Sequence, residues 1–286
     1  MAVLSADIEL GTREFDKLRQ GAYERAGIRL PPEKFEMVRS RVITRVRALA
    51  LPDFKRYLTY LEGPQGEAEW VHLLDVLTTN VTSFFREPAH FDFLRNHLVP
   101  AVQQKRRNGG ARTVRVWCAA AASGEEPYSL AIVLETALPK ADGWDVRILA
   151  SDISTRALAV ARTGVYPESH LENNDLYVRQ AFFAPGPDPS TVRVIPSLQK
   201  RIVYRRINLM AGPWPLRGRL QAIFCRNVMI YFDAPTQERL VNRFHALLEP
   251  DGYLFVGLSE SLTRVTHPYR TVAPGVHQRI APRTTT

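Results

Sequence analysis

Up to about Asn80 the hydrophobic positions recur at helical spacing. Phe35, Val38, Val42, Val46 and Leu49 follow one another at three- and four-residue intervals and so share one face of a helix. The pattern predicts a helix in the segment after Pro31 and Pro32. Two more are predicted from Asp53 to Leu61 and from Ala68 to Leu77, separated by the breaker-rich Glu62-Gly63-Pro64-Gln65-Gly66. A small all-α domain over residues 1–80 is the expectation, followed by a linker at 81–110 that ends in the polar Lys105-Arg106-Arg107-Asn108-Gly109-Gly110.

Beyond that stretch the rhythm changes to short β-rich runs alternating with helices, the pattern of a parallel sheet covered on both faces. Strands are expected at Val114 to Cys118, Val146 to Ser151, Arg201 to Ile207, Leu220 to Cys225 and Gly252 to Leu258. Helices are expected at Pro127 to Leu138, Ser154 to Arg162 and Pro235 to Leu248. Tyr166 to Pro196 interrupts the alternation, with four prolines between Ala184 and Pro196, and reads as an inserted loop or small hairpin. The fold class expected for residues 111–286 is α/β and doubly wound.

Composition keeps this picture: at 286 residues, 45% apolar and 23% charged, the chain can bury a core and is not compositionally disordered. No run approaches the roughly 20 apolar residues that span a bilayer. MAVLSADIELGTREF carries acids early and lacks the basic start and apolar stretch of a signal peptide, so a cytoplasmic location without membrane insertion is expected. Cys118 and Cys225 each end an apolar run and read as core thiols; neither disulfide nor metal site is indicated. The net charge of +9 suits an acidic partner surface.

Candidate chemistry gathers at the carboxyl ends of the predicted strands. After the first come the small residues Ala119 to Ser123, then Gly124-Glu125-Glu126-Pro127 and a helix, the usual entry to a cofactor site in such folds. One glycine and two acids fit a cationic or zwitterionic cofactor better than a pyrophosphate, which favours several glycines and no adjacent negative charge. Asp152 ends the second strand, where an acid accepts hydrogen bonds from the hydroxyls of a ribose; a helix-capping role for it stays open. Arg226 and Asn227 follow the fourth strand directly, with Tyr231 close behind.

These residues fall in four blocks: LTTNVTSFFRE (Leu77 to Glu87), RVWCAAAASGEEPYSLA (Arg115 to Ala131), ASDIS (Ala150 to Ser154) and IFCRNVMIYFD (Ile223 to Asp233). In order and spacing the chain resembles the CheR family of chemotaxis receptor methyltransferases along nearly its whole length. The resemblance implies a Rossmann-like S-adenosylmethionine-dependent methyltransferase domain with a small inserted β-subdomain, at about 181–206 here, behind a small all-α domain. It implies methylation of glutamate side chains on chemoreceptors, with S-adenosyl-L-homocysteine as the other product. It also implies cofactor contacts from Asn80, Thr82, Arg86, Glu126, Asp152, the pair Asn208-Leu209, and Arg226-Asn227, with Tyr231 lining the methyl-transfer site; of the two adjacent acids, Glu126 is preferred. Ala122-Ser123 stands where the family commonly has Ser or Thr beside the glycine.

A glutamate nucleophile is already ionised near pH 7, its ordinary pKa being about 4.3, so no general base is required. Arg86 and the Tyr231 hydroxyl then become the residues expected to hold the carboxylate or orient the cofactor. Lys34, Arg41 and Arg45, at i, i+7 and i+11, form a basic stripe beside the apolar helix face and are the expected docking residues for the receptor's cytoplasmic helices. In some relatives the β-subdomain also binds a receptor C-terminal tail peptide. A nucleic-acid methyltransferase would suit the charge, but no Asn-Pro-Pro-Tyr or Asp-Pro-Pro-Tyr motif occurs and the basic residues lack interleaved aromatics. The expected protein is a monomer with no nucleic-acid partner.

Overall fold

The computed structural model describes residues 8–280; the start of the segment read as lacking a signal-peptide pattern therefore lies outside the described residues. Four helices come first: α1 (Thr12–Ala26), α2 (Phe35–Ala48), α3 (Phe54–Glu62) and α4 (Gly66–Leu77). Val38, Val42 and Val46 of α2 are completely buried, against Leu18 and Ala22 of α1 and Leu73 of α4. That three-four spacing is what lets a short helix bury one stripe while its other faces stay wet.

Inside this bundle one acid is buried. The Glu69 carboxylate accepts both Nε and Nη2 of Arg45, each at 2.8 Å, and the Tyr57 hydroxyl at 2.8 Å. Nearby, Arg41 Nη1 donates to the Leu77 and Thr78 carbonyls at 2.9 and 3.0 Å, occupying acceptors that the C-terminus of α4 would otherwise leave open. The three basic residues of the expected docking stripe thus differ in what they touch. Arg45 is spent on a buried ion pair and Arg41 on a helix end, while Lys34 alone of the three stays exposed and unpaired among the described residues.

The segment expected as a linker also differs. Helix α5 (Pro88–Phe93) runs through a π-helical turn at Leu94–Leu98 into α6 (Val99–Arg107). Phe84, Phe91, Leu94, Leu98 and Val102 are buried in the same core as the sheet that follows. The polar, glycine-bearing end of the segment suggests a linker, whereas its apolar positions carry the packing.

Strand β1 (Thr113–Cys118) leads into α7 (Glu125–Ala137), β2 (Asp145–Asp152) and α8 (Thr155–Thr163). Then come β3 (Val165–Pro167), α9 (Leu176–Phe182), β4 (Phe183–Pro185), β5 (Thr191–Val194) and the single turn α10 (Pro196–Gln199). The chain closes with β6 (Ile202–Arg206), β7 (Leu220–Phe224), α11 (Ala234–Leu247), β8 (Leu248–Phe255), β9 (Tyr269–Ala273) and β10 (Val276–Arg279). The main sheet has seven strands in the order β6-β2-β1-β7-β8-β10-β9; the first five pair in parallel and β10 runs antiparallel to both its neighbours. Val116, Cys118, Phe224 and Phe255 pack on one face and Trp117, Ile223 and Leu254 on the other. Burial on both faces explains why these strands read as continuous apolar runs.

β3, β5 and β4 form a separate three-stranded antiparallel sheet. The insertion thus spans β3 to β5 and not 181–206, because Ile202 to Arg206 pair in parallel with Ile148 to Asp152 of the main sheet. Ile202 and Tyr204 alternate into the core as a main-sheet strand requires.

Replacing Arg45 by Glu would set two carboxylates together around a buried site. A loss of about 3–5 kcal/mol is expected, the usual cost of breaking a buried pair, visible as a lowered melting temperature. Parental stability in R45E would return Arg45 to the surface.

Candidate functional site

The sheet order reverses between β1 and β7, and ligands of open α/β sheets bind beyond the carboxyl ends of the strands at such a switch point. A crevice opens there, floored by the ends of β1, β2 and β7 and roofed by the helical domain through Ala26 to Leu30, Lys34, Met37 and Leu77. Asn80, Thr82, Arg86, Glu126, Asp152, Asn208, Leu209, Arg226, Asn227 and Tyr231 all line it. The chain thus brings together residues from the four sequence blocks and from the pair Asn208-Leu209, and leaves Arg41 and Arg45 outside.

The turn after β1 is shaped by close packing. Gly124 has φ +102°, and a Cβ there would lie 2.6 Å from the Tyr166 hydroxyl and 2.8 Å from the Ala161 methyl. Tyr166, from the inserted sheet, donates to the Ser123 carbonyl at 2.8 Å, so the insertion props the turn from behind. Ala122, with φ +46°, donates its N–H to Asp152 Oδ2 at 2.9 Å, and Ser154 N–H donates to Oδ1 at 2.9 Å. The cap of α8 is Ser154, whose Oγ accepts from Ala157 N–H. Asp152 is therefore free of capping. Burial pushes its carboxyl above the ordinary range while those N–H groups pull it back, and each oxygen keeps a second acceptor site.

Glu125 and Glu126 turn in different directions. Glu125 is turned inward, accepting from Ser123 Oγ at 2.7 Å. Glu126 faces the crevice, accepting Arg226 Nη1 at 2.9 Å and the Cys118 thiol at 3.1 Å. Burial raises its pKa and Arg226 opposes the rise. The Arg226 guanidinium is fully buried; its Nη2 donates to Glu87 Oε2 at 3.0 Å and to the Arg86 carbonyl. Arg86 itself is exposed and leans over the opening with Nη1 on the Val81 carbonyl at 3.0 Å. Asn80 reaches Ser154 Oγ at 3.4 Å. Asn208 Nδ2 donates to the Arg25 carbonyl and its Oδ1 accepts Met210 N–H, while its backbone carbonyl accepts Ala211 N–H at 3.2 Å and Trp214 Nε1 at 3.3 Å.

Three participants were not singled out from the sequence. Glu87, with φ +58°, accepts Arg226, Asn227 Nδ2 at 3.3 Å and Leu258 N–H at 3.2 Å. Glu260 is buried beneath Asn227. Arg29 is exposed at the rim, and its N–H donates to the Tyr231 carbonyl at 2.9 Å. Glu260 carried the positional signal that marked Asp152, an acid shortly after an apolar strand; Glu87 and Arg29 carried none that distinguishes them from surface charges.

The donor set fits S-adenosylmethionine. One buried guanidinium stands against two carboxylates of the lining, Glu126 and Asp152, with Glu87 behind it, so the floor favours a ligand with positive charge on its apolar body. Asp152 retains acceptor sites for a ribose. No cluster of His, Cys, Asp and Glu suited to a metal occurs among the described residues, and none of their helices is long and apolar enough to cross a membrane.

Fold and crevice define an S-adenosylmethionine-dependent methyltransferase. Residues 80–275 match the family model described as CheR methyltransferase, SAM binding domain, and residues 13–78 match CheR methyltransferase, all-alpha domain. Chemotaxis protein methyltransferase 2 of Pseudomonas aeruginosa is 44% identical over 93% of each chain. Chemotaxis protein methyltransferases of Salmonella typhimurium and Escherichia coli are 43% and 42% identical, over 92% and 90% of this chain and 88% and 87% of theirs. The chain belongs to the CheR methyltransferase family.

Asp152→Ala is expected to weaken S-adenosylhomocysteine binding about tenfold to a hundredfold, since hydrogen bonds to a charged group contribute about 1.5–3 kcal/mol; calorimetric titration checks it. A second expectation concerns pH. Burial pushes Glu87 up, but Arg226, Asn227 and the Leu258 N–H outweigh it and hold the carboxyl below its usual value. A folded-state pKa below the unfolded one contributes stability that is present above the ordinary carboxylate range and is lost as pH falls through the lowered value. The melting-temperature gap between the parent and Glu87→Gln should therefore be full at pH 7 and close below about pH 4. A gap that ignores pH would mean that Glu87 acts through shape alone.

Proposed function

We propose that the chain methylates side-chain carboxylates of glutamates on chemoreceptors, leaving glutamate methyl esters and S-adenosylhomocysteine. The observation that carries the reading is the placement of charge around the crevice. The carboxylates Glu126 and Asp152 lie deep, while Arg29, Lys34 and Arg86 at the mouth are exposed and belong to no ion pair among the described residues. An anionic side chain approaching the opening meets cations first and acids only on the floor. The relatives in Pseudomonas, Salmonella and Escherichia are named for methylation in chemotaxis, which supports a receptor as substrate.

When bound, S-adenosylmethionine supplies a methyl group made electrophilic by its cationic sulfur. That group would pass to a glutamate oxygen, with S-adenosylhomocysteine leaving with the electron pair of the broken carbon–sulfur bond. The incoming carboxylate is ionised at neutral pH, so the site needs no base, and no histidine lines the crevice. The protein's part is to align the carboxylate and to replace the water it loses. Alignment of this kind can supply about 7–11 kcal/mol. Arg86 is an exposed guanidinium at the mouth able to offset desolvation of the carboxylate, and Tyr231 adds a hydroxyl to the lining.

Receptor docking uses Lys34 and Arg29 rather than the full stripe on α2, and weakens as salt rises. The antiparallel insertion offers the edges of β3 and β4, where a receptor tail peptide adds as a further strand.

The direct test incubates the protein with radiolabelled S-adenosylmethionine and receptor-containing membranes and asks whether mild base releases the label as methanol. Base-labile label on receptor supports carboxyl methylation; label stable to base, or on another protein, overturns it. Arg86→Ala is expected to lower kcat/KM about tenfold to a hundredfold, the worth of a charge-assisted hydrogen bond. Tyr231→Phe should cost about fivefold to tenfold, and both variants should keep parental melting temperatures. Parental rates would remove these side chains from the mechanism.

A further inference from the structure

The turn that carries Arg226, Asn227 and Tyr231 into the crevice is held by one carboxylate that none of them contributes. Glu260, in the loop after β8, is buried with 8% exposure. Its Oε2 accepts the N–H groups of Asn227 at 2.8 Å and of Gly257 at 2.6 Å, and its Oε1 accepts the N–H of Ile230 at 3.3 Å. Burial raises its pKa; the opposing pull comes from the N–H groups of Gly257, Asn227, Ile230 and Met229. Asn227 meanwhile sits at φ +57°, a left-handed conformation that a residue with a side chain keeps only when its surroundings fix it. The approach is tight: a Cβ on Gly257 would fall 2.5 Å from Asn227 Nδ2 and 2.9 Å from Glu260 Oε2.

We infer that Glu260 is a positioning residue for cofactor binding: its ionised carboxylate, by collecting the N–H groups of Asn227, Ile230 and Gly257, fixes the turn in the conformation that presents Asn227 and Tyr231 to the crevice. The chemistry selects a carboxylate. Two oxygens bearing negative charge can accept several converging N–H donors, whereas a glutamine amide has a single acceptor atom and would turn an NH2 toward one set of N–H groups. A purely apolar replacement would leave those N–H groups buried and unpaired. Glu87 works from the other side, accepting the Asn227 amide and Leu258 N–H, so Asn227 is clamped between two acids from opposite ends of the domain. Neither acid lines the crevice, and the inference does not depend on which substrate receives the methyl group.

The test is a double-mutant cycle read by calorimetric titration with S-adenosylhomocysteine at a temperature well below melting, using Glu260→Gln, Asn227→Ala and the double variant. Glu260→Gln is expected to weaken binding at least tenfold in the parent and by less than threefold in the Asn227→Ala background, because a residue that acts through Asn227 has little left to act on. In steady state the KM for S-adenosylmethionine should rise more than kcat falls. Glu260→Asp, which keeps the charge but shortens the reach, should recover part of the affinity, and it replaces Glu260→Gln in the cycle if that variant does not fold. Binding within twofold of parent in Glu260→Gln, or an equal loss in both backgrounds, would overturn the assignment.

Discussion

The structure turns on a guanidinium that has been taken out of water. Arg226 lies at the end of β7, at the switch point of the sheet, with its side chain fully buried. Burying such a charge unpaired would cost several kcal/mol, and two carboxylates prevent that: Glu126 from the helix after β1 and Glu87 from the segment before α5. Its third bond, to the Arg86 carbonyl, fixes the backbone beside the exposed Arg86. One residue therefore ties the floor of the crevice, the first helix of the nucleotide-type unit and the segment carrying the rim arginine into a single rigid object. Because acids outnumber the guanidinium on that floor, the arrangement leaves negative charge for a cationic ligand to complete.

Much of this architecture was legible in the sequence where local rules decide it. Continuous apolar runs marked β1, β2, β7 and β8, and the residues that end them, Asp152, Arg226 and Asn227, fell at the sheet's carboxyl edge because strand direction puts them there. Glu125 and Glu126 are the first two residues of α7, after Gly124 at φ +102°, so one acid turns in and its neighbour turns toward the crevice. The resemblance supplied Asn80, Thr82 and Asn208, which no local pattern marks.

What stayed hidden was set by long-range packing. Charge spacing on α2 made Lys34, Arg41 and Arg45 a stripe, but whether a basic side chain faces a partner or its own fold depends on what lies opposite. Here Glu69 of α4 lies 24 residues from Arg45 in sequence and yet forms its ion pair. The extent of the insertion was equally invisible. Ile202 to Arg206 reads as a strand either way, and only pairing with β2 assigns it to the main sheet. In 81–110 the polar terminus masked a buried helix face. Arg29 and Glu87 look like ordinary surface charges until the fold brings Tyr231 and Arg226 to them.

The helical domain is part of the catalytic unit and not an appendage to it. Four contacts hold it in register with the sheet: Asp75 accepts both the N–H and the hydroxyl of Thr155 at the start of α8, at 2.7 and 2.6 Å; Tyr23 donates to Asp233 at 2.6 Å; Asn208 binds the Arg25 carbonyl; and Arg29 N–H binds the Tyr231 carbonyl. Three of the four sit on residues that line the crevice or flank them directly. Any shift of the bundle would move Leu30 and Met37 off the cofactor crevice and would pull on the turn that carries Tyr231. The same domain also brings Lys34 and Arg29 to the opening. The rim cations and the enclosure of the crevice are therefore mechanically coupled, since both are carried by the chain between α1 and α2.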